Sequence, residues 1–165
     1  MELPESVIPI LRETISSPAL PRGLPLEIWN APDHRTWIDA FLELGVSLFN
    51  SDVPEEGLPR GYILVAYLFN WEASCQSEAW HAFDNERSSV TRVIECFREV
   101  GLHGEAHALS EAFSIWQSSD GNSDLTSKAY SALSHNYSVD LDRMEYLACY
   151  FVDNAQQLFY LQSAT

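Results

Sequence analysis

Apolar positions along this chain recur with a helical period and almost never with a period of two. Trp37, Phe41, Leu44 and Leu48 follow one another at i, i+4, i+7 and i+11, the spacing that lines one face of a helix. Pro32 and Asp33 just ahead of them supply a helix start. Residues 62–83 are again helical in pattern, but their polar middle, Asn70-Trp-Glu-Ala-Ser-Cys-Gln-Ser77, predicts a break, giving two helices or one bent one. Val90, Val93, Ile94, Phe97 and Val100 form the next stripe, with Ser88 or Ser89 as its cap and Gly101 as the C′ residue that closes it. Ala108, Leu109, Ala112, Phe113 and Trp116 mark a helix over 104–116, which the short link from Gly101 to Gly104 makes a packing neighbour of the previous one. A short helix follows at 125–133. A last one is predicted over about 140–161, on Leu141, Met144, Leu147, Ala148, Phe151, Ala155, Leu158 and Phe159.

Breakers separate these stretches. Pro4, Pro9, Pro18, Pro21 and Pro25 leave room for one short helix around 8–15, followed by an irregular arm. Pro54, Gly57 and Pro59 make 50–59 a loop, and Ser119-Asp-Gly-Asn-Ser123 reads as a turn. The expectation is an all-α fold of seven to nine helices, on the order of 60–70% helical against the roughly one-third of an ordinary domain. At 165 residues, a single compact domain over 1–165 is expected, with 1–31 as arm and short helix and 32–165 as helical core. The aromatic content, 12%, belongs to a packed protein and excludes a disordered acidic chain.

Charge changes the picture most. Twenty-four Asp and Glu face nine Lys and Arg, a formal net charge of −15, and Lys128 is the one lysine. Such a charge opposes association with DNA, RNA or an anionic membrane surface, and it suits a basic protein partner. Between Arg98 and Lys128 stand Glu99, Glu105, Glu111, Asp120 and Asp124 without a base, and Asp140, Asp142 and Glu145 open the last helix. These eight are the candidate partner-binding residues, expected on solvent faces opposite the apolar stripes. The same charge would also keep the chain soluble without naming a partner.

Candidate chemistry is sparse. His103 and His107, at i and i+4 with Glu105 between them, have the spacing of metal ligands on one helix face. The zincin pattern would require Glu directly after the first His, where Gly104 stands, and a third ligand would have to come from elsewhere. A metal-dependent enzyme on this pair is therefore the alternative from another class. No Gly-rich phosphate loop, nucleophile elbow or Cys-His signature is visible in the sequence. Cys75, Cys96 and Cys149 are odd in number and widely spaced, as expected of reduced thiols in a cytoplasmic protein. The opening Met1-Glu-Leu-Pro-Glu5 has no basic or apolar signal region, and no apolar stretch is long enough to span a membrane. No catalytic residue and no cofactor is expected.

Three segments carry a family likeness. Trp80-His-Ala-Phe83-Asp-Asn85 is an aromatic–Asn ending, residues 93–112 form a helix–Gly–Ala transition, and the stretch from Leu141 to Tyr160 is a long amphipathic closing helix. Together they resemble a family of small all-α bacterial proteins that includes a DNA-mimic protein, over roughly the last hundred residues. That family has Asn-Gly-Gly ahead of the aromatic run, and the matching segment here, Gln76-Ser-Glu78, has no glycine. The resemblance implies a dimeric acidic protein that binds a helix-turn-helix regulator in place of DNA. The expected partner is thus a basic protein: a DNA-binding regulator or, as the alternative, a cationic nuclease toxin neutralised by an immunity protein.

Overall fold

The computed structural model describes residues 5–9, 29, 33–133 and 140–160. Helix accounts for 77% of them, with no strand among the described residues, so the all-α expectation holds. Most of the expected short helix at 8–15 and the arm to residue 31 lies outside the described residues. The chain divides into two compact units, Met1–Asn70 with Arg143–Thr165, and Trp71–Asp142.

In the first unit, α1 (His34–Phe49) starts where Asp33 caps it: the Thr36 N–H donates to Asp33 Oδ1 at 2.8 Å, satisfying one of the helix's open donors. Its buried residues are Ile38, Ala40, Phe41, Leu44, Gly45 and Leu48. Ile38 takes the place expected for Trp37, because the face is centred on Gly45. A Cβ built there would stand 2.8 Å from both Phe69 Cβ and the Val65 carbonyl oxygen, so α1 crosses α2 (Arg60–Glu78) nearly backbone to backbone. Gly61 lies as close to Leu158, whose carbonyl oxygen would be 2.7 Å from an added Cβ.

The core of this unit is aromatic. Phe41, fully buried, has Phe69, Phe151 and Phe159 at centroid distances of 5.5, 5.4 and 6.1 Å. Tyr62 meets Phe159 edge-on at 5.2 Å. The tilted contacts of Phe41 with Phe69 and Phe151 and the edge contact of Tyr62 suit the ring quadrupoles and add about 0.5–1.5 kcal/mol per pair to simple burial. Trp29 lies 5.1 Å from Phe159, and its indole N–H donates to Tyr160 Oη at 2.6 Å. Burial drives the Tyr62 phenol far above its ordinary range, with Tyr160 pushing the same way. α7 (Asp140–Asp153) ends at Asn154, whose side-chain amide donates to the Tyr150 carbonyl, and α8 (Ala155–Phe159) resumes at once. The expected single closing helix is therefore interrupted.

In the second unit the expected break at 70–77 is absent. α2 runs through it with Asn70 and Glu72 buried, and the chain turns only after Glu78, at Ala79 with φ +50°. A short 3-10 turn, Ala79–His81, and α3 (Ala82–Asn85) follow. Phe83, fully buried, gathers Trp71, Trp80, Phe113 and Trp116 at 5.4, 5.7, 5.1 and 6.0 Å. The Trp116 indole donates to Asp84 Oδ1 at 2.9 Å, which satisfies the one polar atom of that ring.

α4 (Val90–Glu99) buries Val90, Val93, Ile94, Cys96 and Phe97. Its Ser89 cap makes no bond to the helix N–H groups; its hydroxyl donates instead to the Glu86 carbonyl. Gly101, φ +87°, closes the helix as expected: its N–H reaches the Arg98 carbonyl and that of Leu102 the Phe97 carbonyl, a Schellman pair. α5 (His103–Ser118) packs on α4 and on α6 (Ser123–Ser131). The turn between α5 and α6 has Asp120 and Gly121 both at positive φ, +54° and +77°, and Asn122 caps α6 by accepting from Leu125 N–H.

Candidate functional site

The eight candidate acids separate. Glu99, Glu111, Asp120, Asp124 and Asp142 are exposed, on α4, α5, the α5–α6 turn, the first turn of α6 and the start of α7. Asp120 and Asp124 come together around one turn; Glu99 and Glu111 stand on different helices. The side chain of Asp140 lies outside the described residues. Glu145 belongs to the first unit.

Glu105 corrects the expectation: it is 2% exposed, and Tyr130 donates its phenol proton to Glu105 Oε2 at 2.5 Å. The reason is helical phase. Glu105 stands 4, 7 and 11 residues before Leu109, Ala112 and Trp116, which places it in the stripe α5 buries. That signal was present in the sequence. The opposite phase, His103, His107 and Glu111, is the exposed one.

The charge is shared almost evenly between the units. Trp71–Asp142 holds 12 Asp and Glu against 4 Lys and Arg, a difference of −8, and the remainder of the chain 12 against 5, a difference of −7. Among the described residues of the second unit, exposed carboxylates number eight (Glu78, Asp84, Glu95, Glu99, Glu111, Asp120, Asp124, Asp142) against three exposed bases (Arg87, Arg98, Lys128). The ion pairs there are loose and surface-exposed, such as Arg92 to Glu95 at 3.4 Å, and neutralise little of this field.

His103 and His107 are both exposed, and the nearest acid to His107 is Glu111, 4.0 Å away on the same face. No group of three or more His, Cys, Asp or Glu side chains arranged to hold a metal ion occurs among the described residues. No helix among them is long and apolar enough to cross a membrane.

A second arrangement, in the first unit, has no counterpart in the sequence reading. His34, the first residue of α1, meets Glu145 and Cys149, one turn apart on α7. Its Nδ1 contacts Glu145 Oε1, and its Nε2 lies 3.8 Å from Cys149 Sγ. The Trp37 ring stacks on the imidazole at 5.3 Å and 23°. Burial raises the Cys149 thiol above its ordinary range, and the carboxylates of Glu145 and Asp153 push it the same way. His34 and Cys149 are 115 residues apart in the chain, so no local motif announces them.

Comparison with protein families, curated proteins and solved structures finds no match to this chain.

Proposed function

We propose that this protein is an acidic binding protein that occupies the basic, nucleic-acid-binding surface of a protein partner. The observation that carries this reading is the excess of exposed carboxylates over exposed bases, eight to three, among the described residues of Trp71–Asp142. Acids fixed on helices hold their positions as a partner approaches, and at short range a basic groove is drawn to them as to phosphates. Their contribution is a distributed field, felt first in the association rate and weakened by salt. The first unit carries nearly the same net charge, so the long-range attraction belongs to the whole chain. The likeness of residues 62–160 to the family that includes a DNA mimic points the same way.

The test is capture of the partner from the native cell followed by kinetics. Amide substitution of Glu99, Glu111, Asp120, Asp124 and Asp142 together should lower the association rate by tenfold or more at low salt, while any one alone lowers it about twofold. Glu105 is left out because it is buried. Association unchanged in the fivefold variant and indifferent to salt would refute the reading.

A further inference from the structure

Cys149, His34 and Glu145 stand in the order nucleophile, base and orienting carboxylate. A carboxylate only accepts hydrogen bonds, so its contact with His34 Nδ1 assigns the ring proton to that nitrogen. Nε2 is then left as an acceptor, with the Cys149 thiol 3.8 Å away as the nearby donor. Trp37, stacked on the ring, restricts its rotation. The partners come from two helices, His34 from α1 and the Glu145–Cys149 pair at i, i+4 on α7, so the geometry is a property of the packing. Cys149 is partly exposed, and the His34 and Glu145 side chains are 49% and 47% exposed, so a small electrophile can reach the sulfur.

We propose that Cys149 is a nucleophile for acyl transfer, with His34 as its general base and Glu145 as the residue that positions and stabilises the imidazole. In the step, the Cys149 sulfur attacks the carbonyl carbon of an activated acyl ester while Nε2 of His34 takes the thiol proton. The carbon–oxygen bond to the leaving group breaks, the alkoxide or phenolate takes the proton from the imidazolium, and a thioester remains on Cys149. Burial of the sulfur, together with the negative charge around it, decides the route. Glu145 and Asp153 on α7 disfavour a resting thiolate, and His34 on α1 is the basic group facing the sulfur. The proton must therefore leave during attack, as in a serine-type triad, and no pre-formed thiolate–imidazolium pair is required. This chemistry is separate from the acidic surface of Trp71–Asp142 and does not depend on its partner.

The test uses p-nitrophenyl acetate on the full chain, reading p-nitrophenolate release and the acetylated cysteine by peptide mass spectrometry across pH. Cys75, partly exposed like Cys149, is the internal comparator. Expected is one equivalent of release, with acetyl on Cys149 at least tenfold faster than on Cys75 at neutral pH. The Cys149 rate should level off well below the pH at which a thiol ionises, because the base and not the thiolate limits it. His34→Gln should remove that plateau and leave only the rise at alkaline pH. Glu145→Gln, nearly isosteric at a half-exposed position, should lower the plateau several-fold. Acetylation of Cys149 no faster than of Cys75, or a pH profile unchanged by both His34→Gln and Glu145→Gln in variants that keep the wild-type circular dichroism, would overturn the proposal.

Discussion

The two units build their cores by different routes. In Trp71–Asp142, α4, α5 and α6 pack on their neighbours in sequence, joined by the Gly101 and Gly121 turns, and Phe83 collects rings from residues 71–116. In the other unit Phe41 rests on Phe151 and Phe159, more than a hundred residues away. The second unit is therefore held by short closures and good helix ends. The first is held by long-range ring contacts, and Gly45 and Gly61 serve closeness of approach where Gly101 and Gly121 serve turns.

The largest effects should come from the two ring hubs. Phe41→Ala and Phe83→Ala each remove a fully buried aromatic and should cost about 3–5 kcal/mol of stability, measured by denaturant unfolding. If either costs under 1 kcal/mol, that ring is not a hub.

Glycine substitutions separate the two routes. Gly61→Ala puts a methyl group into the Leu158 backbone and should cost about 1–3 kcal/mol through forced movement. Gly101→Ala meets the left-handed backbone penalty and should cost about 1–2 kcal/mol. Asn at 101, which tolerates that conformation, should recover part of the loss, whereas Asn at 61 should be worse than Ala. Equal behaviour of Asn at both positions would erase the distinction.

Alkaline pH probes the core of the first unit. Tyr62 has a folded-state pKa raised above its unfolded value of about 10, so its contribution is intact below pH 10 and lost as pH rises beyond it. Stability should fall there by up to about 1.4 kcal/mol per pH unit for this group, and Tyr62→Phe should flatten the slope. The smallest effect expected is at a helix start: Asp33→Ala should cost about 1 kcal/mol, since Asp33 caps α1 through its side chain. Ser89→Ala, whose hydroxyl donates to a carbonyl and not to the cap's purpose, should cost less.

What was legible in the sequence follows the same division. The stripes of α4 and α5, the stop at Gly101 and the turn at 119–123 were readable because each is decided by residues a few places apart. Glu105 was readable by the same rule, and counting from Trp116 backward places it inside. The break predicted in α2 does not form because the polar residues there point inward: Asn70 and Glu72 are buried within an unbroken helix. The replacement of Trp37 by Ile38 in the core depends on how closely α1 approaches α2 at Gly45, which only the packed backbone decides. The meeting of His34 with Cys149 depends on the fold as a whole, and no spacing rule reaches across 115 residues.

The distance from Phe41 to Phe151 also has a consequence in time. A ribosome adds residues at about 5–20 per second, so on the order of 5–20 seconds separate the emergence of these two rings. The helices of Trp71–Asp142 can pair as they emerge, each finding its mate already made. Phe41 and Phe69 can meet each other early, but the faces they turn to Phe151 stay in water until the last described helices arrive. The first half of the nascent chain thus carries unburied aromatic surface for that interval, whereas a chain diluted from denaturant, with both ends present from the start, escapes it altogether.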